Sequence, residues 1–388
     1  MEDKKYFDNL DGLRAYAAIA VVIFHMNLNW PNYWYLMPYW WLGVQIFFII
    51  SGFLITDILL KLKNGDWFFK NFYKRRALRI LPLYFLCFIF TIFYWISRDN
   101  SIQDFYAYIL FIQNWVIWFN NGTVDFPTIF GHSWTLAIEQ QFYLLWPLFI
   151  RYIHIKKLWI VCVVWIIFSM ISRFISADFF PWYATAYSTF SHLDTLLWWS
   201  LLAVLYNQKY NLAKLLKYNL LIGGALFIFY YWFTNFNNIP TFWEVIVRST
   251  DQGWPLVMLV FTPLCIGIVH YLLIARNIFT NIIFKNRLMV HLWKISYWIY
   301  LYHIFVLYIV EYESPFMKVI RKHVQLFLVD FIGPFILNVN DIFIITFRIT
   351  AGIAYFFQLL LTIFIAHISY TYFEKRFLTK KQEKILAP

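Results

Sequence analysis

Apolar residues along this chain gather into long unbroken runs, without the regular alternation of a half-buried strand or surface helix. The runs fall at about 13–30, 42–60, 80–96, 134–150, 158–172, 192–206, 218–234, 254–273, 295–310 and 343–366. A helix needs roughly 20 predominantly apolar residues to cross the hydrocarbon core of a bilayer. The pattern therefore predicts an all-α polytopic membrane protein with about ten transmembrane helices joined by short polar connections. Two further apolar segments, 105–119 and 324–337, are short for a span and read as re-entrant or interfacial helices on the outer side. The expected organisation is one transmembrane domain over residues 1–388, with 371–388 forming a short basic tail and no soluble domain after the last span.

Composition makes lipid the main solvent. Of the 388 residues, 62% are apolar, 24% aromatic and 13% charged, and the mean hydropathy is +0.60. Soluble domains carry about 25% charged residues, so an ordinary water-surrounded enzyme is excluded. The 32 Lys and Arg outnumber the 20 Asp and Glu, for a net charge of +12. That excess is dealt out among loops and forms no single basic face, so no nucleic-acid partner is expected. With the N-terminus in the cytoplasm, 25 of the basic residues fall on the inner side. The outer side keeps the other seven, Arg98, Arg173, Arg248, Lys318, Arg321, Lys322 and Arg348. The positive-inside rule then puts both termini in the cytoplasm. The first run is led by charged residues, carries Arg14 and His25, and lacks a small-residue cleavage site, so it reads as a retained helix.

Cys87, Cys162 and Cys265 stand singly in apolar runs, which supports neither a disulfide framework nor a metal site; they read as packing residues. No phosphate-binding glycine loop, nucleophile elbow, metalloprotease motif or internal repeat is visible. The chemistry is therefore expected in or beside the membrane. Ionisable groups inside a span are costly, and each is a candidate functional residue. His25 lies in the outer half of the first span. Glu139 lies about six residues, or roughly 9 Å, below the outer end of the fourth, at a matching depth. A carboxylate orienting an imidazole is what a general base requires, and His25 with Glu139 is the leading pair. His303 sits near the midplane of the ninth span. His192 and Asp194 open the sixth, where an aspartate serves equally well as a helix cap.

At the inner side Lys74, Arg75, Arg76 and Arg79 place four cations within six residues. Two readings stand open: an anchor for lipid headgroups, or a grip on a phosphorylated ligand, since guanidinium forks match phosphate oxygens. Arg14, at the inner end of the first span, is placed to join this cluster.

Several segments carry a family resemblance. Asp11-Gly12-Leu13-Arg14-Ala15 followed by His25, then Phe47-Phe48-Ile49-Ile50-Ser51-Gly52-Phe53-Leu54, then Arg75-Arg76-Ala77-Leu78-Arg79-Ile80-Leu81-Pro82, resemble the opening pattern of the bacterial membrane acyltransferase 3 family. Ser133-Trp134-Thr135-Leu136-Ala137-Ile138-Glu139-Gln140-Gln141-Phe142-Tyr143-Leu144 resembles its most specific stretch. Ile295-Ser296-Tyr297-Trp298-Ile299-Tyr300-Leu301-Tyr302-His303 and Tyr372-Phe373-Glu374-Lys375 resemble its late and closing motifs. The chain departs from the family in two places. His192 stands where an arginine often precedes the aspartate of the sixth helix, with Ser200 at a frequent glycine, and Arg376 follows Lys375 where proline is frequent.

The resemblance implies a multi-pass enzyme of the bacterial inner (cytoplasmic) membrane. It moves an acyl group, most commonly acetyl, from cytoplasmic acyl-CoA to a hydroxyl of a carbohydrate or lipid-linked glycan, with no metal. Arg14, Arg75, Arg76 and Arg79 would hold the coenzyme. The eleven residues from Arg14 to His25 span roughly 16 Å of helix, comparable to an extended pantetheine arm. His25, oriented by Glu139, would deprotonate the acceptor hydroxyl. Ser133 or Tyr143 would assist the developing oxyanion, and Asp194 and His303 would line the substrate site. An acyl-histidine relay is the alternative chemistry, and a proton-coupled transporter the alternative class.

Overall fold

A backbone surrounded by hydrocarbon has to satisfy its amides internally, and long apolar runs do so as α-helices. The computed structural model describes residues 8–28, 37–97, 104–120, 128–180, 182–236, 262–263, 265–272, 278–310, 315–327 and 339–374. Among these, all regular structure is helical. The order is α1 (Asp8–Leu28), α2 (Met37–Leu62), α3 (Phe68–Ile96), α4 (Phe105–Ile109), α5 (Gln113–Phe119), α6 (Thr128–Gly131), α7 (Trp134–Tyr152) and α8 (Leu158–Phe179). There follow α9 (Trp182–Tyr187), α10 (Leu193–Asn207), α11 (Leu212–Phe236), a helical stretch at 265–272, α12 (Ile278–Phe284) and α13 (Arg287–Lys294). Last come α14 (Ser296–Ile309), α15 (Pro315–Phe327) and α16 (Val339–Ser369), closed by a π-helical turn at Tyr370–Glu374.

The apolar runs fall on these helices, save that the run at 254–273 is described only from residue 262. Four helical segments among the described residues are long and apolar enough to cross a membrane: Gly43–Leu62, Phe68–Ile96, Ile155–Ser176 and Gly352–Phe373. By contrast, α10 and α14 have only 15 and 14 residues. The structure differs from the sequence reading in three local respects. Helix α3 starts at Phe68, well before its apolar run, so the basic cluster lies on a helix. The segment 105–119 is two short helices, α4 and α5, separated near Phe111, whose φ of 56° is left-handed. The helix that enters the expected segment 324–337 begins earlier, at Pro315, as α15 (Pro315–Phe327); residues 328–337 lie outside the described residues. Most of the basic tail, 375–388, also lies outside them.

The chain divides into two compact units, Met1–Ala17 with Trp41–Trp293 and Ala18–Trp40 with Lys294–Pro388. The core of the first includes Leu10, Leu13, Ile49, Phe53, Trp199, Cys265, Val269 and Phe284. Two motif glycines set helix approach there. A Cβ on Gly12 would lie 2.2 Å from the Phe284 carbonyl oxygen, and one on Gly52 would lie 2.1 Å from that of Leu196 in α10. Small residues permit such backbone contact in membrane helices. Ser200 secures the second approach, its hydroxyl donating to Leu196 O (2.9 Å) and Gly52 O (3.2 Å). On α8, Val164, Ile167, Ile171 and Ile175 are exposed, an apolar surface suited to lipid.

In the second unit α14 packs on α16, and α15 packs on α16 as well. Val306, Val310, Met317 and Ala354 form the shared core. The Gln358 amide donates to Val310 O at 2.9 Å, closing one of the carbonyls that a helix end leaves open. Cys87, Cys162 and Cys265 are free and buried.

Candidate functional site

In the first unit, α7 carries Glu139 and Tyr143 four residues apart, the spacing that puts side chains on one helix face. The Tyr143 hydroxyl donates to Glu139 Oε2 at 3.3 Å. Ser51 of α2 donates to Oε1 at 2.6 Å, so both carboxylate oxygens are engaged. Ser51 immediately precedes Gly52, the residue that lets α10 close on α2. Arg76 of α3 places its guanidinium carbon 5.9 Å from the ring centres of Tyr143 and Phe72. Arg14 of α1 is half-buried, and its Nε has no hydrogen-bond partner among the described residues. Both arginines lie within electrostatic reach of Glu139, and Arg79 within reach of both.

Ion pairs among the described residues are Lys61–Asp57 (2.6 Å) and Arg173–Asp194 (2.7 Å). None of the three arginines is therefore closed by a carboxylate at contact distance. The cations Arg14, Arg76 and Arg79 outnumber the acidic groups in reach of them, Glu139 and Asp11, and this net positive cluster favours an anionic ligand. Lys74 and Arg75 are exposed, as is Arg79, whereas Arg76 is half-buried.

The other residues singled out in the sequence have their own settings. Ser133 is fully buried at the start of α7, where the Gln113 amide of α5 donates to its carbonyl (3.1 Å) and hydroxyl oxygen (3.3 Å). Its hydroxyl belongs to that contact, while Ser51 supplies the hydroxyl beside Glu139. Asp194 is half of a buried ion pair. Arg173 of α8 donates to Asp194 Oδ2 and also to Ser191 O (2.5 Å), and Asp194 Oδ1 accepts from the Thr195 amide (2.8 Å). Arg173, counted by sequence among the outer-side charges, is only 2% exposed. It reaches Asp194 from α8. The His192 Nε2–H donates to Ala186 O at 2.7 Å, with the ring beside Trp134 and Phe48.

His25 belongs to the second unit. Its Nδ1 lies 2.9 Å from Val21 O and 3.2 Å from Nε2 of His303, which is fully buried on α14. The His303 Nδ1–H donates to Tyr300 O at 2.6 Å. No group of three or more His, Cys, Asp or Glu gathers as a metal site among the described residues.

A family model for an acyltransferase domain matches residues 7–367, which takes in nearly the whole chain. The chain belongs to the acyltransferase 3 family. Relatives of this acyltransferase 3 chain include the protein named "O-acetyltransferase OatA" of Staphylococcus aureus (strain NCTC 8325 / PS 47), 34% identical over 226 residues, 53% of this chain and 36% of OatA. "Putative peptidoglycan O-acetyltransferase YrhL" of Bacillus subtilis (strain 168) is 35% identical over 159 residues, 38% of this chain and 24% of YrhL. "Putative O-acetyltransferase SACOL0978" of Staphylococcus aureus (strain COL) is 31% identical over 328 residues, 78% of this chain and 51% of that protein. The chain thus spans about a quarter to a half of the length of these relatives. No solved structure matches it.

Sequence reasoning for this acyltransferase 3 chain missed Ser51, Gln113 and Arg173 as partners of the polar groups it did single out. Ser51 lies in the Phe47–Leu54 motif, but a serine in a helix gives no sign of which remote carboxylate it meets. Arg173 was masked by its place near the end of an apolar run, where topology alone accounts for a basic residue.

Proposed function

We propose that this chain is a membrane O-acyltransferase that takes acetyl from acetyl-CoA and passes it to a hydroxyl of a cell-envelope glycan. The observation that carries the reading is the net positive cluster of Arg14, Arg76 and Arg79, with Arg14 and Arg76 in reach of the Glu139 that Ser51 and Tyr143 hold. It suits the phosphates of a coenzyme A donor, with Arg75 as an exposed outer contact. Family membership supports acyl transfer, and the names of these relatives support an O-acetyl product with peptidoglycan as one acceptor class. In this proposal the chain has about ten spans and both termini in the cytoplasm, and resides in the bacterial cytoplasmic membrane.

His25 is the proposed general base. The acceptor hydroxyl gives its proton to His25 as its oxygen attacks the thioester carbonyl. The C–S bond then breaks, and the thiolate recovers that proton from His25 to leave as free coenzyme A. Tyr143 is the polar group assigned to the developing oxyanion, Ser133 and Asp194 are proposed substrate-site residues, and His303 acts on His25.

The test measures release of free thiol from acetyl-CoA by the purified, bilayer-reconstituted chain, with and without peptidoglycan fragments. Release that depends on the acceptor, together with label transferred to glycan, is expected. Arg76→Gln should raise KM for acetyl-CoA about 10-fold, as expected for one lost charge-assisted contact. Unchanged donor affinity in Arg14→Gln and Arg76→Gln would instead assign the cluster to lipid headgroups. Label retained on the protein without acceptor, and lost in His25→Ala, would replace direct transfer by an acyl-histidine relay.

A further inference from the structure

The contacts of His25 with Val21 and His303 favour one protonation pattern, and His303 is central to it. A backbone carbonyl can only accept, so the 2.6 Å contact of His303 Nδ1 with Tyr300 O places the His303 proton on Nδ1. A neutral imidazole carries one N–H, which leaves His303 Nε2 as an acceptor. That nitrogen lies 3.2 Å from His25 Nδ1, so His25 Nδ1 has to be the donor. The same conclusion follows from the other side, because His25 Nδ1 also lies 2.9 Å from Val21 O. A lone pair at His25 Nδ1 would face two acceptors at once.

We infer that His303 is a positioning residue that locks His25 in its Nδ1–H tautomer, leaving Nε2 as the basic atom that takes the acceptor's proton. The ring nitrogen that does not react is fixed by its hydrogen bond, and this decides which nitrogen is reactive. His303 is itself held in place, fully buried on α14 and tied to Tyr300 one turn back. When Nε2 of His25 gains the hydroxyl proton, the positive charge spreads to Nδ1–H, where Val21 O and His303 Nε2 both accept from it. Those acceptors hold the charged ring more strongly than the neutral one, which strengthens the base. On proton return to the departing thiolate the neutral Nδ1–H form is restored, so the pair ends each cycle as it began.

The inference rests on the acyltransferase reading only for its kinetic consequence; the tautomer can be measured without any reaction. The chain, reconstituted in bilayers with ¹⁵N,¹³C-labelled histidine, is examined by solid-state NMR, and the His25 ring is assigned by its loss in His25→Gln. Nitrogen–carbon correlations within the ring report which nitrogen carries the proton. The wild type is expected to show Nδ1–H at His25. In His303→Leu, which removes the acceptor, a mixture of tautomers is expected. In His303→Gln, whose side-chain oxygen is a replacement acceptor, the Nδ1–H form should return.

An Nε2–H tautomer in the wild type, or an unchanged pure Nδ1–H form in His303→Leu, overturns the proposal, and the wild-type spectrum alone suffices if both variants misfold. Kinetically, His303→Leu should lower kcat for glycan acetylation by ~10²-fold, within the range attributed to a positioned general base. KM for acetyl-CoA should stay within about 2-fold, and His303→Gln should regain about 10-fold of the lost rate. Loss of the tautomer preference without any acyl transfer in the wild type would leave the positioning role standing and remove the acyltransferase reading instead.

Discussion

The Arg173–Asp194 pair shows how much a single buried contact holds. Both side chains are almost fully buried, at 2% and 1% exposed, and meet at 2.7 Å. Removing one partner strands the other charge, and such losses cost about 3–5 kcal/mol. Asp194→Ala should therefore unfold at markedly lower temperature in detergent, whereas Arg173→Met combined with Asp194→Leu should recover most of the loss. A double variant as unstable as the single one would mean that the pair's further contacts to Ser191 and Thr195 dominate. Ser51 makes a different prediction, because its partner Glu139 belongs to the candidate site. Ser51→Ala removes a 2.6 Å hydrogen bond to a carboxylate, worth about 1.5–3 kcal/mol, and should lower kcat/KM for acetyl transfer by roughly 10- to 100-fold. Steady-state rates with a fixed glycan acceptor check this. The motif residues Glu139 and His25 were legible in the sequence because an ionisable group in an apolar run stands out by its cost. Ser51, a common residue in membrane helices, does not.

At the scale of elements, helix spacing turns on two glycines. Gly52→Ala would drive a methyl group to 2.1 Å from the Leu196 carbonyl, and overpacking of this kind costs about 1–3 kcal/mol or more. The expected result is a lowered melting temperature and loss of the Ser200 contact. Gly224→Ala on α11 is the control, since a Cβ there meets nothing within 4 Å and alanine is the better helix former by about 1 kcal/mol. Thermal unfolding of both variants in the same detergent separates backbone contact from helix propensity; equal effects would refute the close-approach explanation. Element boundaries were readable where hydropathy decides them and less so where it does not. The first turns of α3 mix Phe68, Phe69 and Phe72 with basic residues and run unbroken into its apolar stretch, so hydropathy alone does not mark the start. The break at Phe111 and the placement of α15 depend on local backbone geometry and amphipathic packing that an apolar-run reading ignores.

For the whole molecule, orientation is the main expectation still to be measured. The division of 25 against 7 basic residues predicts that the connection after α7 is cytoplasmic and the end of α3 external. The buried cysteines Cys87, Cys162 and Cys265 should be silent to a membrane-impermeant maleimide. Introduced at exposed positions, Ser97→Cys should label from outside intact cells, and Lys156→Cys only after permeabilisation. Labelling of Lys156→Cys in intact cells would reverse the assigned topology. Moving Arg173 out of the outer-side set, as its burial requires, makes the asymmetry steeper and does not alter its sign.

The sequence by itself determined the solvent, the helical class, the order of the apolar runs and the small set of charged residues that lipid makes expensive. These are properties of composition and local periodicity, and each can be read one segment at a time. Only the tertiary structure decided which groups answer one another. It joined Glu139 to Ser51 and Tyr143, paired Asp194 with an arginine 21 residues earlier, and set His25 beside a histidine 278 residues away. Hydrogen-bond partnership depends on distance and direction between helices, and the sequence carries no direct record of either.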